Sequence, residues 1–294
     1  MTRRGLILAR YRREVLIEIE SGARLTGLVR GRKLRPLTGD EVVWHAEQDG
    51  TAVIDEILPR TNVLERIDSR GRGEGVAANL SLVAVVVAPR PEPDWQLVDH
   101  YLAGAAIIGI DATLVRNKQD IADAVLDERA ETYARLGYEV LRTSVQPKRG
   151  IAALADIFVR HRGVLVGQSG VGKSSVLNAL LGSEAQAVGK LSSRRPLGRH
   201  TTTASILHRL PSGGEIIDSP GVRRYAPFIA DPADLASGFI EFRPFLGRCR
   251  FNDCGHTHEP GCAVLAALRD GQIDDPRYRS YLALRATLER LRSV

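Results

Sequence analysis

Val164-Leu165-Val166-Gly167-Gln168-Ser169-Gly170-Val171-Gly172-Lys173-Ser174-Ser175 is the stretch on which the fold turns. A short apolar strand runs into a GxxxxGK[ST] pattern, and a helical segment to Leu181 follows. In this arrangement glycines let the backbone curl so that successive N–H groups face an anion. The start of the following helix adds its partial positive charge. Lys173 supplies a full charge for β- and γ-phosphates, and Ser174 offers a hydroxyl to Mg²⁺. The segment therefore reads as a phosphate-binding loop at the edge of an α/β sheet.

Working upstream, strand-like and helical stretches alternate. Leu82–Ala88 reads as a buried strand, Asp94–Ile108 as a helix, and Ala112–Val115 as a second strand. A helix over Asp120–Leu136, a strand over Tyr138–Leu141 and a helix over Ile151–Val159 complete the approach to the phosphate loop. This alternation predicts a mostly parallel sheet with helices on both faces. Further upstream the period shortens. Glu14–Glu20, Arg24–Val29, Glu41–Trp44 and Thr51–Ile54 read as short strands with Gly at the turns, which predicts a small β-barrel of OB type. The charged, Gly-rich stretch Thr61–Ala78 reads as a linker or mobile loop. Beyond Tyr225 the pattern is mainly helical. The expected units are a barrel over 1–65, an α/β nucleotide-binding domain over 66–225 and a helical domain over 226–294.

A phosphate loop alone does not choose between adenine and guanine. Asn117-Lys118-Gln119-Asp120 follows the strand at Ala112–Val115, where a base-reading loop belongs on an α/β sheet. The Asp120 carboxylate can accept two hydrogen bonds from the ring N–H and exocyclic amine of guanine. Adenine lacks that donor pair and would leave the carboxylate unmatched. Asn117 is expected to bond the base edge and neighbouring loops, and the Lys118 stem to pack over the base. Thr143-Ser144 closes the next strand and could support the base through backbone N–H groups.

Downstream, Asp218-Ser219-Pro220-Gly221 closes the strand Glu215–Ile217. Asp218 can hold Mg²⁺ through a water, and the Gly221 N–H can sense a γ-phosphate. Between the two phosphate motifs lies Gly198-Arg199-His200-Thr201-Thr202-Thr203, preceded by the basic Leu191–Pro196. This suits a switch loop in which one of the three threonines completes the Mg²⁺ shell, with Thr202 the nominal choice. The base motif thus precedes the phosphate loop. That order is a circular permutation of the usual GTPase, and the second switch leads directly into the C-terminal domain.

The three cysteines all lie within Cys249–Cys262. Cys249-x4-Cys254-x-His256-x5-Cys262 offers three thiolates and an imidazole, a closed tetrahedral shell for structural zinc, with His258 competing for the imidazole position. Their clustering argues against disulfides and for a reducing compartment. The net charge of +6 suits an anionic partner such as nucleic acid. No secretory signal is read at the start of the chain. No apolar run approaches the ~20 residues that cross a bilayer, so the expectation is a cytoplasmic protein without membrane contact. Arg277–Arg292 reads as an amphipathic helix that either faces RNA or covers the zinc domain with its charged face in solvent, the latter favoured.

Taken together, NKQD, Thr-Ser, GQSGVGKSS, GRHTTT, DSPG and CRFNDCGHTHEPGC resemble the ribosome small-subunit-dependent GTPase family, RsgA, over nearly the whole chain. The resemblance implies an OB-fold at the N-terminus and a permuted GTPase domain followed by a zinc domain. It also implies binding to the 30S subunit and its 16S rRNA, a role in late maturation of that subunit, and GTP hydrolysis to GDP stimulated by it. A monomer is expected. Carried over by motif, Asn117 and Asp120 read the base, Gly170, Gly172, Lys173 and Ser174 bind phosphate, and Cys249, Cys254, His256 and Cys262 hold zinc. Many GTPases place a Gln just after DxxG to orient water. Val222 stands there and cannot do so. His200, beside the switch threonines, is the candidate for that role.

Overall fold

The computed structural model describes residues 3–11, 14–30, 34–67, 72–182, 205–219, 229 and 232–292. Five strands open the chain: β1 (Arg3–Tyr11), β2 (Glu14–Ile19), β3 (Arg24–Val29), β4 (Glu41–Ala46) and β5 (Ala52–Ile57). Their order β1-β2-β3-β5-β4 closes on itself through a β1–β4 pairing, giving the expected OB-like barrel. Alternate residues point inward, so Ile7, Val15, Ile17, Val42, Trp44 and Ile54 fill the barrel. The Trp44 indole N–H, buried with them, donates to the Arg4 carbonyl at 3.2 Å.

The stretch expected to be a linker is instead a β-hairpin, β6 (Val63–Ile67) and β7 (Gly73–Ala78). A side chain at Gly75 would come within 2.6 Å of Leu37 Cδ1, so that glycine permits close packing rather than mobility. Leu64, Val76 and Ala77 enter the main core.

The α/β unit follows the expected alternation: β8 (Leu82–Val87), α1 (Trp95–Ile107), β9 (Asp111–Arg116), α2 (Ala124–Arg135), β10 (Glu139–Arg142), α3 (Ile151–Phe158), β11 (Arg162–Val166) and α4 (Lys173–Leu181). Two strands, β12 (Ile206–Arg209) and β13 (Glu215–Asp218), complete it. The order β10-β9-β8-β11-β13 is parallel throughout, and β12 runs antiparallel at its end. Every residue of β8 is buried. Val83, Val85 and Val87 pack with Tyr101, Leu102, Leu126 and Tyr133 on one face, while Leu82, Ala84 and Val86 pack with Leu154, Phe158, Val176 and Leu180 on the other. This two-sided burial explains why β8 reads as a continuous apolar run.

Barrel and α/β sheet are one hydrogen-bonded surface. β1 extends beyond the barrel, and Ala9 pairs with Ile206 of β12, giving an 11-stranded sheet. Across the seam Leu8 of β1 shares the main core with Leu207 and Ile217, the Thr38 hydroxyl donates to the Ser205 carbonyl at 2.9 Å, and Arg162 donates to the Gly39 carbonyl at 2.7 Å.

Past the α/β unit come two 3₁₀ segments, Pro232–Gly238 and Ile240–Phe245, then α5 (Ala263–Arg269) and α6 (Asp275–Arg292). Phe239, Phe242, Tyr281, Leu284 and Cys262 form their core, joined by Ala103 of α1. α6 covers the cysteine loop as favoured above, but its first arginine is not solvated. Arg277 is fully buried, bonded to Asp99 of α1 at 2.7 Å and to Glu241 at 2.6 Å, with the Phe239 ring 4.8 Å from its guanidinium carbon. Among the described residues no helix is long and apolar enough to cross a membrane.

Candidate functional site

The carboxyl ends of the parallel strands carry the motifs side by side. β11 ends at Val166 and enters the phosphate loop; β9 ends at Arg116 and enters Asn117–Asp120; β10 ends at Arg142 and enters Thr143-Ser144; β13 ends on Asp218. Open α/β sheets bind ligands at this edge, where loops and helix N-termini converge. Motifs separated by about a hundred residues of sequence are thus brought to one rim.

In the phosphate loop, Gly172 sits at φ +98° as the N-cap of α4, a position without a side chain to occupy the first N–H groups of the helix. A side chain at Gly172 would stand 2.5 Å from Asn117 Nδ2, so this glycine also sets how closely the two loops approach. Ser174 and Ser175 are exposed at the first turn of α4, and Val171 is buried beneath. The Lys173 ammonium bonds the carbonyls of Gly167 at 2.7 Å and Gln168 at 2.5 Å. It therefore lies along the loop it would share with phosphate oxygens. The Gln168 side chain accepts the Asp94 N–H at 2.9 Å, which fastens the loop to the start of α1.

The base loop is stitched to the phosphate loop. Asn117, 2% exposed, donates to the Val171 carbonyl at 2.9 Å and accepts from the Thr143 hydroxyl at 3.1 Å. Both ends of its amide are thus engaged inside the protein. The Lys118 ammonium reaches the carbonyls of Gly170 and Arg90, both at 2.8 Å. Asp120 is exposed, and its Oδ1 accepts the Ser144 hydroxyl at 2.5 Å. That bond is the main reason its carboxyl is held below the usual carboxylate range. α2 is capped by Asp123, whose carboxylate accepts the Leu126 N–H at 3.0 Å. The helix therefore starts at Ala124 rather than at the expected Asp120, which leaves Asp120 in the loop.

Sequence reasoning missed the residues that hold this rim from behind. Arg116, 1% exposed, bonds Asp127 at 2.9 Å, the Lys118 carbonyl at 2.7 Å and the Ile121 carbonyl at 2.9 Å. It wraps the base loop around its guanidinium. Ser144 was expected to act through backbone N–H; the structure uses its hydroxyl on Asp120. An arginine or serine carries no motif that signals such a task. His200, Thr201, Thr202, Thr203, Gly221 and Val222 lie outside the described residues. Asp218 is exposed at the end of β13, one strand from the phosphate loop.

The second cluster lies in the C-terminal unit. Ligand atoms of Cys249, Cys254, His256 and Cys262 all lie within 4.8 Å of one another. His256 Nδ1 is 3.5 Å from Cys249 Sγ and 3.4 Å from Cys262 Sγ, and these two sulfurs are 3.9 Å apart. A tetrahedral ion about 2.3 Å from sulfur and about 2.0 Å from nitrogen requires edges of about 3.8 Å between sulfurs and about 3.5 Å from sulfur to nitrogen. The residues therefore fit such an ion. His258 is exposed and its Nδ1 pairs with the Thr257 hydroxyl, which leaves His256 as the imidazole of the cluster. Burial pushes the Cys254 thiol up to about 12 and the Cys262 thiol up as well, and it lowers His256. A metal must then displace thiol protons as it binds. Around it, Glu259 accepts the N–H groups of Gly255, Thr257 and His258 at 2.7, 2.8 and 3.0 Å. Burial opposes its charge, yet these N–H bonds hold its carboxyl down at about 2. Tyr278 and Tyr281 of α6 each donate at 2.8 Å, to the carbonyls of His256 and Gly255.

The family model described as RsgA GTPase matches residues 57–227. The protein named small ribosomal subunit biogenesis GTPase RsgA from Azotobacter vinelandii is 44% identical over 97% of this chain and 85% of its own length. Its namesake from Pseudomonas syringae pv. syringae is 43% identical over the same shares. Among solved structures, YjeQ from Thermotoga maritima matches with a TM-score of 0.79 and 30% identity, covering 98% of this chain and 99% of that one. YloQ, described as a circularly permuted GTPase, matches with a TM-score of 0.73 and 27% identity over 98% and 96%.

Proposed function

The chain belongs to the RsgA GTPase family, and from that premise we propose that it binds GTP at the rim described above and acts in maturation of the small ribosomal subunit. The observation that carries the base assignment is Asp120: an exposed carboxylate, anchored through one oxygen by Ser144, beside a phosphate loop. With guanine bound, it accepts the ring N–H and the exocyclic amine. Asn117 and Thr143 hold the base loop against the phosphate loop, and the Lys118 stem spans the gap between them. On the phosphate side, Lys173 exchanges the carbonyls of Gly167 and Gln168 for β- and γ-oxygens, and the N–H groups from Ser169 to Ser175 surround the rest.

Ser174, Asp218 and Thr202 are assigned to Mg²⁺, Gly221 to the γ-phosphate and His200 to the attacking water. A valine at the usual glutamine position makes unassisted hydrolysis slow, and the subunit supplies the acceleration. We assign zinc to the four-ligand cluster on its donor chemistry: three thiolates and one imidazole leave no open position for catalysis and suit a structural ion. The barrel over 1–65 and the zinc unit over 226–294 flank the GTPase over 66–225 and contact 16S rRNA. The protein acts as a cytoplasmic monomer.

The test is hydrolysis of GTP and of ATP, each alone, with 30S subunits and with 50S subunits. Slow GTP turnover raised selectively by 30S, with little ATP turnover, is the expected result. GTP turnover that ignores 30S or responds only to 50S removes the small-subunit role. Lys173→Ala lowers stimulated turnover by about a hundredfold or more, by analogy with the loss of one transition-state charge contact.

A further inference from the structure

Two aromatic side chains are exposed among the described residues: Tyr11, at the end of β1, and Phe251, on the cysteine loop. Every other described phenylalanine is at least partly buried. Phe251 is 42% exposed, although it lies between two cluster ligands, Cys249 and Cys254. Its neighbours Arg248, Arg250, Asn252 and Asp253 are exposed as well. Neither arginine has a carboxylate partner among the described residues. The Arg250 guanidinium instead lies 5.5 Å from the centre of the Phe251 ring.

The loop that presents this ring is fixed. The Arg250 N–H donates to the Gly261 carbonyl at 3.1 Å, and the Cys254 N–H turns back to the Phe251 carbonyl at 3.4 Å. Ligation of Cys249 and Cys254 would hold both sides of the turn. The turn thus leaves part of an aromatic ring open to solvent, where covering it is favourable. Clamped by one cation and flanked by another, it has the makings of a stacking surface for a base whose phosphates are gripped by arginine.

We propose that Phe251, with Arg248 and Arg250, forms a platform on which one unpaired RNA base stacks, Asn252 lying within reach of that base's edge. The proposal rests on the RNA-binding reading above and adds to it a ligand class: single-stranded rather than duplex RNA. A duplex keeps its bases stacked on one another and offers no free π-face.

The experiment uses the full zinc-loaded chain. Binding is measured to 30S subunits, to a single-stranded oligoribonucleotide carrying 2-aminopurine, and to the same sequence as a duplex. The wild-type chain is expected to bind the single strand more tightly than the duplex and to change the 2-aminopurine emission. Phe251→Ala and Phe251→Leu should each weaken single-strand binding about tenfold, and Phe251→Trp should preserve it. Arg250→Gln should instead lower the slope of log affinity against log salt by about one. Zinc content and unstimulated GTP turnover, unchanged across the variants, show that the fold is kept. Phe251→Leu binding as well as wild type overturns the platform, as does equal binding of single strand and duplex. If wild type binds 30S but Phe251→Ala binds it and the oligonucleotide equally well, the platform fails while the RNA reading stands. If wild type binds neither RNA nor 30S, the RNA reading fails and takes the platform with it.

Discussion

The nucleotide rim and the cysteine cluster are both built from loops, yet they are held in opposite ways. At the rim, side chains bond one loop to the next: Asn117 to Val171, Lys118 to Gly170, Thr143 to Asn117. The groups left outward, Asp120 and Ser174, are those proposed above for the base and for Mg²⁺. In the cluster, four ligand atoms point at one another within 4.8 Å, and His256 and Cys262 are buried. The rim is organised by the protein itself. The cluster gathers groups that need something between them, since three thiols and an imidazole hydrogen-bond one another poorly. The first site should survive without its ligand and the second should not.

Metal removal is the largest lever on that contrast. Structural zinc contributes on the order of 10 kcal/mol to folding of small domains that cannot bury enough surface alone. Chelation of the intact chain should therefore release about one zinc per chain. It should melt the C-terminal unit, read as loss of amide protection over residues 232–292, while GTP affinity changes little. Cys254→Ser should do the same without a chelator. Retained protection in metal-free protein would show that Tyr278, Tyr281 and Glu259 hold the loop unaided.

The buried ion cluster tests whether the two regions are independent at all. Arg277 belongs to the C-terminal unit, while Asp99 belongs to α1, whose first turn meets the phosphate loop through Asp94 and Gln168. Removing the arginine leaves two carboxylates buried and uncompensated, a change that costs about 3–5 kcal/mol. Arg277→Leu should show this loss in urea unfolding. Adding Asp99→Leu, Glu241→Leu and Tyr133→Phe should restore much of it, because the Tyr133 hydroxyl donates to Asp99 at 2.5 Å and apolar replacement of a whole buried cluster is often neutral. A loss confined to the C-terminal unit, with the α/β unit unmoved, would sharpen the separation. A loss spread over both would break it.

At the rim, expected effects are smaller and show in binding rather than stability. Asp120→Asn should weaken GTP about a hundredfold, since it removes a charged acceptor from two hydrogen bonds, and should let xanthosine triphosphate bind instead. Ser144→Ala should weaken GTP only severalfold, because Asp120 keeps its charge and loses one anchor. Equilibrium binding of the two nucleotides to both variants checks the assignment. GTP affinity untouched in Asp120→Asn would show that another loop reads the base.

This division also marks what was legible in the sequence. The phosphate loop, NKQD and the cysteine spacing could be read because their chemistry constrains residue types at fixed separations. The barrel and the parallel sheet could be read because period-2 strands and alternating helices follow from burial. What escaped notice depended on partners distant in sequence. Arg116 supports a loop only because Lys118 and Ile121 curl over it, and Arg277 looked like one more surface cation because Asp99 and Glu241 lie far away along the chain. The paired strands at Val63–Ile67 and Gly73–Ala78 are not legible because a glycine that admits Leu37, as Gly75 does, looks the same in sequence as one that loosens a chain.

The smallest lever is pH, and it acts through two histidines on the elements that join the units. His100 lies on α1 against α6, and His208 lies on β12 beside the barrel seam. Burial lowers both below 6.5, and each has one ring nitrogen without a hydrogen-bond partner among the described residues. The folded chain therefore binds fewer protons here than the unfolded chain. Stability from these groups is fully present above pH 6.5 and is lost as pH falls from there toward the lower folded values. The carboxylates held low, Asp120 and Glu259, act in the same direction only under more acidic conditions. Urea unfolding followed across the ordinary histidine range, about pH 5.5 to about pH 7.5, should thus show stability falling with acid. His100→Gln and His208→Gln should each flatten that slope. Because His100 sits between α1 and α6, its protonation should loosen the C-terminal unit first, whereas His208 should act on the sheet. A slope unchanged by either substitution would place the acid sensitivity outside these two joints, and would leave the Arg277 cluster, the Arg129–Asp274 pair and the Ala103 packing as the contacts that couple the units.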